Sequence, residues 1–181
     1  MSITRYSVED YEEMIRRGAL TEYDKVVLIR GEIVPKMPTG PKHSGCLKKM
    51  NRTMGVRVGD RAIVAIQDPV RLLDSEPETD LSLLFPRADF FTTSHPEPPD
   101  ILLLVEISDS SLAVDRNLMK EIYPEAGIVE YWIVNLVDQS LEVHRGPRPD
   151  GTYEDERILK RGESIEVAAL PGVVVGVDEL F

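Results

Sequence analysis

Five consecutive apolar residues, Ile101-Leu102-Leu103-Leu104-Val105, end on a carboxylate, Glu106, and no other stretch restricts the fold so strongly. A short continuous apolar run fits a strand buried on both faces. An ionised carboxylate left unpaired there would cost several kcal/mol, so Glu106 is either paired or at work. Just beyond it, Asp115 reads as the N-cap of a helix carrying Arg116, Lys120 and Tyr123 on neighbouring turns. Strand, acid and basic helix thus arrive together between Asp100 and Tyr123.

The rest of the chain supplies partners for that strand. Ser7 to Ile15 reads as a short capped helix with acidic residues in its first turn. Lys25 to Met37 alternates around an Arg30-Gly31 turn signal and suggests a β-hairpin. From His43 to Val58, Leu47, Met50, Met54 and Val58 share one helical face while Lys48, Lys49 and Arg52 point elsewhere. Arg61 to Leu73 reads as a strand interrupted at Asp68-Pro69, because proline cannot donate to a central ladder. Asp80 heads a further strand, DLSLLF, and further strands are expected over Val129–Leu136, Ser140–Arg145 and Thr152–Leu159. Antiparallel neighbours bring the start of one strand beside the end of the next, so pairing of 80–85 with 101–107 would make Asp80 and Glu106 neighbours.

Composition bounds the function. A chain of 181 residues, 42% hydrophobic, is long enough for one domain over 1–181 and too short to suggest two. Its apolar runs are far too short to span a bilayer and MSITRYSVEDYEEM lacks a signal peptide's apolar core, which together imply a cytoplasmic protein. The lone Cys46 excludes an internal disulfide and reads as a small buried side chain. A net charge of −11 argues against non-specific nucleic-acid binding through the whole surface. Distribution qualifies this, because seven basic residues stand against Asp60 alone between Lys36 and Arg61. Such a basic face suits a polyanion, and equally suits a solvated helix face.

Two adjacent carboxylates repel and settle by sharing a proton or a divalent cation. Magnesium, bound through one or two carboxylates with water and phosphate completing its shell, suits such a pair. Asp80 and Glu106 could hold it, with Gln67 as a further oxygen ligand and Lys120 to orient a nucleophile or stabilise negative charge. Plainer roles stand beside these: Asp80 as a turn cap, Glu106 as the partner of Arg116 or Lys120, His43 as a helix cap or solvent-facing group, and Trp132 as core.

The order Gln67-Asp68-Pro69-Val70, Ser75-Glu76-Pro77 to Asp80, Val105-Glu106-Ile107-Ser108, Asp115-Arg116, Tyr123 and Ala126-Gly127 to Val134 resembles the Uma-type nuclease family. That bacterial family belongs to the restriction-endonuclease-like PD-(D/E)XK superfamily, and the similarity covers nearly the whole chain. It implies an α/β fold with a mixed sheet, flanking helices and extra β-hairpins, a Mg²⁺-dependent (or Mn²⁺-dependent) phosphodiesterase centre acting on DNA, and a homodimer. Asp80 matches the family's strand-start aspartate and Glu106 its strand-end carboxylate. Ser108 stands where the superfamily pattern has lysine. The family's lysine sits on the next helix, four residues after the aspartate matched by Asp115; here that position is Met119, with Lys120 one later. Thr79 replaces an expected proline, and Val27 a glutamate of the first hairpin.

Two functions from different classes follow. One is a metal-dependent DNA nuclease using Asp80, Glu106 and Lys120, with Lys48, Lys49 and Arg52 holding phosphate. The other is a catalytically lapsed nuclease fold serving as a DNA-binding or dimeric interaction module, which Met119, Val27 and the acidic balance favour. A purely structural subunit is a third.

Overall fold

The computed structural model describes residues 4–181; Met1, Ser2 and Ile3, part of the N-terminal stretch read above, lie outside the described residues. Its frame is a six-stranded mixed sheet in the order β3-β4-β5-β6-β7-β8. The strands are β3 (Ile63–Pro69), β4 (Glu78–Leu84), β5 (Ile101–Ser108), β6 (Glu130–Asn135), β7 (Ser140–Pro147) and β8 (Tyr153–Leu159). Every residue of β5 is buried, as its continuous apolar run requires. β5 and β6 run parallel and the other neighbours antiparallel. The parallel step needs a crossover, which helix supplies.

That crossover begins as α3 (Leu112–Val114), passes through a π-helical stretch (Asp115–Met119) and continues as α4 (Lys120–Glu125). Asp115 therefore lies inside the helix and is not its N-cap. Its buried carboxylate accepts from the Ser108 hydroxyl at 2.6 Å and the Ser111 hydroxyl at 2.7 Å, tying the helix to the end of β5. Met119, Ile122 and Tyr123 of this crossover pack on one sheet face against Leu104, Tyr131 and Ile133.

The opposite face is covered by α2 (Pro41–Val58), whose Leu47, Met50, Met54 and Val58 meet Leu81, Leu103, Val105 and Trp132. Burying these side chains contributes about 1.5–3 kcal/mol each. A small hairpin, β9 (Ser164–Glu166) with β10 (Val174–Gly176), closes the same layer. The fully buried Glu130 anchors this region by accepting from Trp132 Nε1, Arg145 Nε and the Ala168 amide, each at 2.8 Å.

At the other end α1 (Val8–Arg16) starts at Ser7, whose hydroxyl accepts from the Asp10 amide at 3.1 Å while Asp10 accepts from the Ser7 amide at 3.0 Å. The helix packs Val8 and Tyr11 against Leu28 of the hairpin formed by β1 (Val26–Ile29) and β2 (Glu32–Pro35). Arg30 and Gly31 turn this hairpin with φ of 51° and 76°. A side chain on Gly31 would lie 3.1 Å from the Tyr6 carbonyl, so glycine is needed there for space as well as for its left-handed backbone.

β3 does not break at Asp68-Pro69 as the sequence suggests. It runs through Pro69, which faces Glu78, because β3 is an edge strand whose outer side needs no donor. Among the described residues no helix is long and apolar enough to cross a membrane.

Candidate functional site

The register places three sequence-predicted residues in a row across the sheet. β3 and β4 pair at Ile66↔Leu81 and Asp68↔Thr79, which sets Gln67 opposite Asp80 where the ladder lapses. Gln67 has a φ of 51°, a left-handed conformation that is uncommon and unfavourable outside glycine. On the other side, Leu81↔Val105 continues to Asp80 beside Glu106, and the Asp80 amide points at Glu106 Oε2 at 3.4 Å. In return the Ile107 amide donates to Asp80 Oδ2 at 2.8 Å. Each acid thus accepts from a backbone amide of the neighbouring strand just beyond the last ladder pair, Leu81↔Val105.

Their environments differ from those of the buried acids Glu130 and Glu142. Glu130 has Arg145 at 2.6 Å, and Glu142 has Arg116 at 2.6 Å. Glu106 is buried with neither Arg116 nor Lys120 beside it, and its side-chain donor is the Tyr123 hydroxyl, 2.7 Å from Oε1. Burial, then the nearby Asp80 and Asp115, drive its pKa well above the ordinary carboxylate value, against the pull of the Tyr123 hydrogen bond. Asp115 is also raised by burial, opposed by the two serine hydroxyls. Asp80 receives a second donor from α2: His43 Nε2 lies 2.9 Å from Oδ2. That hydrogen bond raises the His43 pKa, with burial opposing.

These groups line a cavity of about 610 Å³. Its walls are the β1–β2 hairpin (Val27, Ile29, Val34), the first turn of α2 and the crossover helix (Val114, Leu118, Met119), and Gln67 opens onto it. The two long cations on the lining are both engaged, Arg30 with Glu125 at 2.6 Å and Lys36 with Glu78. Among the described residues no group of three or more His, Cys, Asp and Glu side chains is arranged to hold a metal ion, so a cation here would rest on the two carboxylates with water or substrate completing its shell. Two hard carboxylates at a cavity, one of them desolvated and without a basic partner, suit an oxygen-preferring divalent cation that keeps open positions.

The structure leaves other sequence-predicted residues away from this centre. Lys120 is not on the cavity lining; its ammonium lies 2.5 Å from Glu156 Oε2, on β8. Met119 occupies the lining instead. One residue turns a helix by about 100°, which aims Lys120 along a different wall. Lys48, Lys49 and Arg52 are exposed on α2, about 7–14 Å along the axis from His43, and the Lys49 ammonium donates to the Phe181 carbonyl at 2.7 Å.

His43, read from the sequence as a helix cap or solvent-facing group, is instead buried against Asp80. A usable signal was present: His43, Leu47, Met50 and Met54 fall at i, i+4, i+7 and i+11, so the histidine continues the buried stripe of α2 and turns inward. Its residue exposure of 8% agrees with that spacing.

Comparison with solved structures finds the same fold in a protein described as "a putative nuclease belonging to DUF820 from Anabaena variabilis". The TM-score is 0.76 at 16% identity, over 97% of this chain and 97% of that one. Curated proteins give no match. Residues 8–178 match the Uma2 family, described as "Putative restriction endonuclease". With nearly all of its length covered by that match, the chain belongs to the Uma2 family.

Proposed function

We propose that this protein, acting as one restriction-endonuclease-like domain over 1–181, is a cytoplasmic metal-dependent nuclease that hydrolyses phosphodiester bonds in DNA. The observation that carries this reading is the juxtaposition of Asp80 and Glu106 at the cavity, with no Lys or Arg to neutralise Glu106. Burial and the neighbouring carboxylates favour the protonated form of Glu106, and a bound cation would favour its ionised form. In this reading Mg²⁺ or Mn²⁺ is held by Asp80 and Glu106, with the Gln67 amide oxygen as a further ligand from the opposing strand. When bound, such an ion activates water and polarises a phosphodiester.

The protein's own contributions follow from the geometry. The reciprocal amide contacts fix the carboxylates relative to each other, and the hairpin and crossover helix restrict water at the cavity walls. Lys48, Lys49 and Arg52 offer exposed positive charge beyond the cavity and would hold flanking phosphates. Homodimeric assembly belongs to the same proposal and is read by light scattering on the purified protein. Lys120, proposed from the sequence as the catalytic base or charge stabiliser, would have to leave Glu156 to serve here.

The second reading, a catalytically lapsed nuclease fold that binds DNA or a second copy, is favoured by one feature. Met119 faces the cavity while Lys120 is paired elsewhere, so among the described residues no free ammonium lines the cavity beside the acids. Supercoiled plasmid incubated with Mn²⁺ separates the two. Nicking by the native protein that disappears in Asp80→Ala and Glu106→Ala is the expected result. Intact plasmid together with salt-sensitive retention of DNA would replace the enzyme with the binding module.

A further inference from the structure

The two oxygens of Asp80 are differently engaged. Oδ2 accepts from His43 Nε2 at 2.9 Å and from the Ile107 amide at 2.8 Å, which leaves Oδ1 without a protein donor among the described residues. Among the described residues the His43 ring has one polar tie, to Asp80, and its Nδ1 is buried without a partner. An unpaired buried polar atom costs stability, so the single tie from Nε2 to Asp80 is the interaction that offsets burial of His43. Its backbone is fixed by the first turn of an 18-residue helix that opens with Pro41, and its side chain is 10% exposed. The donor is therefore delivered from a rigid element to the cavity wall.

We infer that His43 is a positioning residue: it holds Asp80 by Oδ2 so that Oδ1 is presented to a divalent cation in the cavity. This rests on the metal reading given above. The same device serves the other acid, because the Tyr123 hydroxyl occupies Oε1 of Glu106 and leaves Oε2 with only the long contact to the Asp80 amide. Each carboxylate is thus gripped by one side-chain donor, Asp80 from α2 and Glu106 from α4, and each keeps one oxygen for a ligand. Donors of this kind fix ligand orientation, and their loss lowers metal affinity by about 10–100-fold.

The test is calorimetric titration of Mn²⁺ into the native protein, His43→Ala and His43→Gln, with thermal melts of each recorded without metal. A glutamine amide can still donate to Asp80. The expected result is at least about a tenfold loss of affinity in His43→Ala and a much smaller loss in His43→Gln, with similar melts. If His43→Ala fails to fold, His43→Leu removes the donor while keeping the volume and is read in the same way. Native affinity in the donor-free variant overturns the inference. An equal loss in His43→Gln also overturns it, because the imidazole would then be a direct ligand. Absence of Mn²⁺ binding by the native protein removes the metal reading itself, and the inference with it.

Discussion

Glu76 offers a stability prediction whose magnitude can be worked through. It lies between β3 and β4, is 3% exposed, and its amide donates to the Leu28 carbonyl at 2.7 Å, joining the β1–β2 wall of the cavity to the sheet. Its Oε2 is buried without a partner. Burial and then the Glu12 carboxylate push its pKa up from 4.5 to about 7, with Arg71 pulling the other way. A folded-state pKa above the unfolded one means that the native protein binds the extra proton, so the stability contributed by Glu76 is full below pH 4.5 and is lost as pH rises through about 7. The full displacement corresponds to about 3 kcal/mol. Arg71 and nearby solvent screen part of it, which brings the expected cost at pH 8 to about 2 kcal/mol. Glu76→Gln keeps the shape and the neutral character without the titration. Urea unfolding at pH 4.5, 6, 7 and 8 should therefore give equal stabilities at the acid end and a variant about 2 kcal/mol more stable at pH 8, or roughly 4–8 °C in Tm. Parallel pH profiles for the two proteins, or a native protein more stable than the variant at pH 8, would refute the argument.

Other perturbations address the site. Mn²⁺ at a hundred times its dissociation constant should stabilise the native protein by about 2.7 kcal/mol and leave Glu106→Gln unmoved, measured by melts with Mn²⁺ and again after chelation with EDTA. Met119→Lys places an ammonium on the cavity wall and should raise the plasmid-nicking rate about tenfold or more; an unchanged rate in a folded variant would mean that this wall does not face the reacting phosphate. Glu156→Gln frees Lys120 and should change stability by less than about 1 kcal/mol with little effect on nicking. A large rise in nicking would instead show that Lys120 reaches the carboxylates once released.

Where function depends on contacts within one element, the sequence was readable. The apolar run of β5 announced a buried central strand, the Arg30-Gly31 pair announced a hairpin, and alternation in β4 put Asp80 two residues from Ser82 on the strand that flanks Glu106. Contacts between elements were harder to see. The start of the crossover helix was misplaced because Asp115 has the residue type and spacing of an N-cap, whereas its carboxylate is satisfied by Ser108 and Ser111 and the helix starts at Leu112. Pro69 was read as a break because its edge position, which removes the need for a donor, is a property of sheet order and not of the local residues. The His43–Asp80 contact depends on how α2 crosses the sheet, which periodicity does not fix. Lys120 went to Glu156 because β8 comes within reach of the crossover helix, a neighbour 36 positions away along the chain.

Two features of the site work against stability in the absence of a ligand, and they coincide. Gln67 holds a left-handed backbone directly opposite Asp80, and Glu106 is buried beside Asp80 with no guanidinium or ammonium of the kind given to Glu130 and Glu142. Either could be relieved by one substitution, Gln67 to glycine or Glu106 to glutamine, without disturbing the packing of Leu104 or Tyr131 around them. Strained backbone and buried carboxyls with displaced pKa values gather where a structure is organised for a ligand. Here both fall on one line across three strands, at the wall of the same cavity, and a divalent cation would relieve the repulsion between the acids. That coincidence is a stronger argument for a cation than either carboxylate alone, because each residue has a plain structural role available to it and the row of three does not.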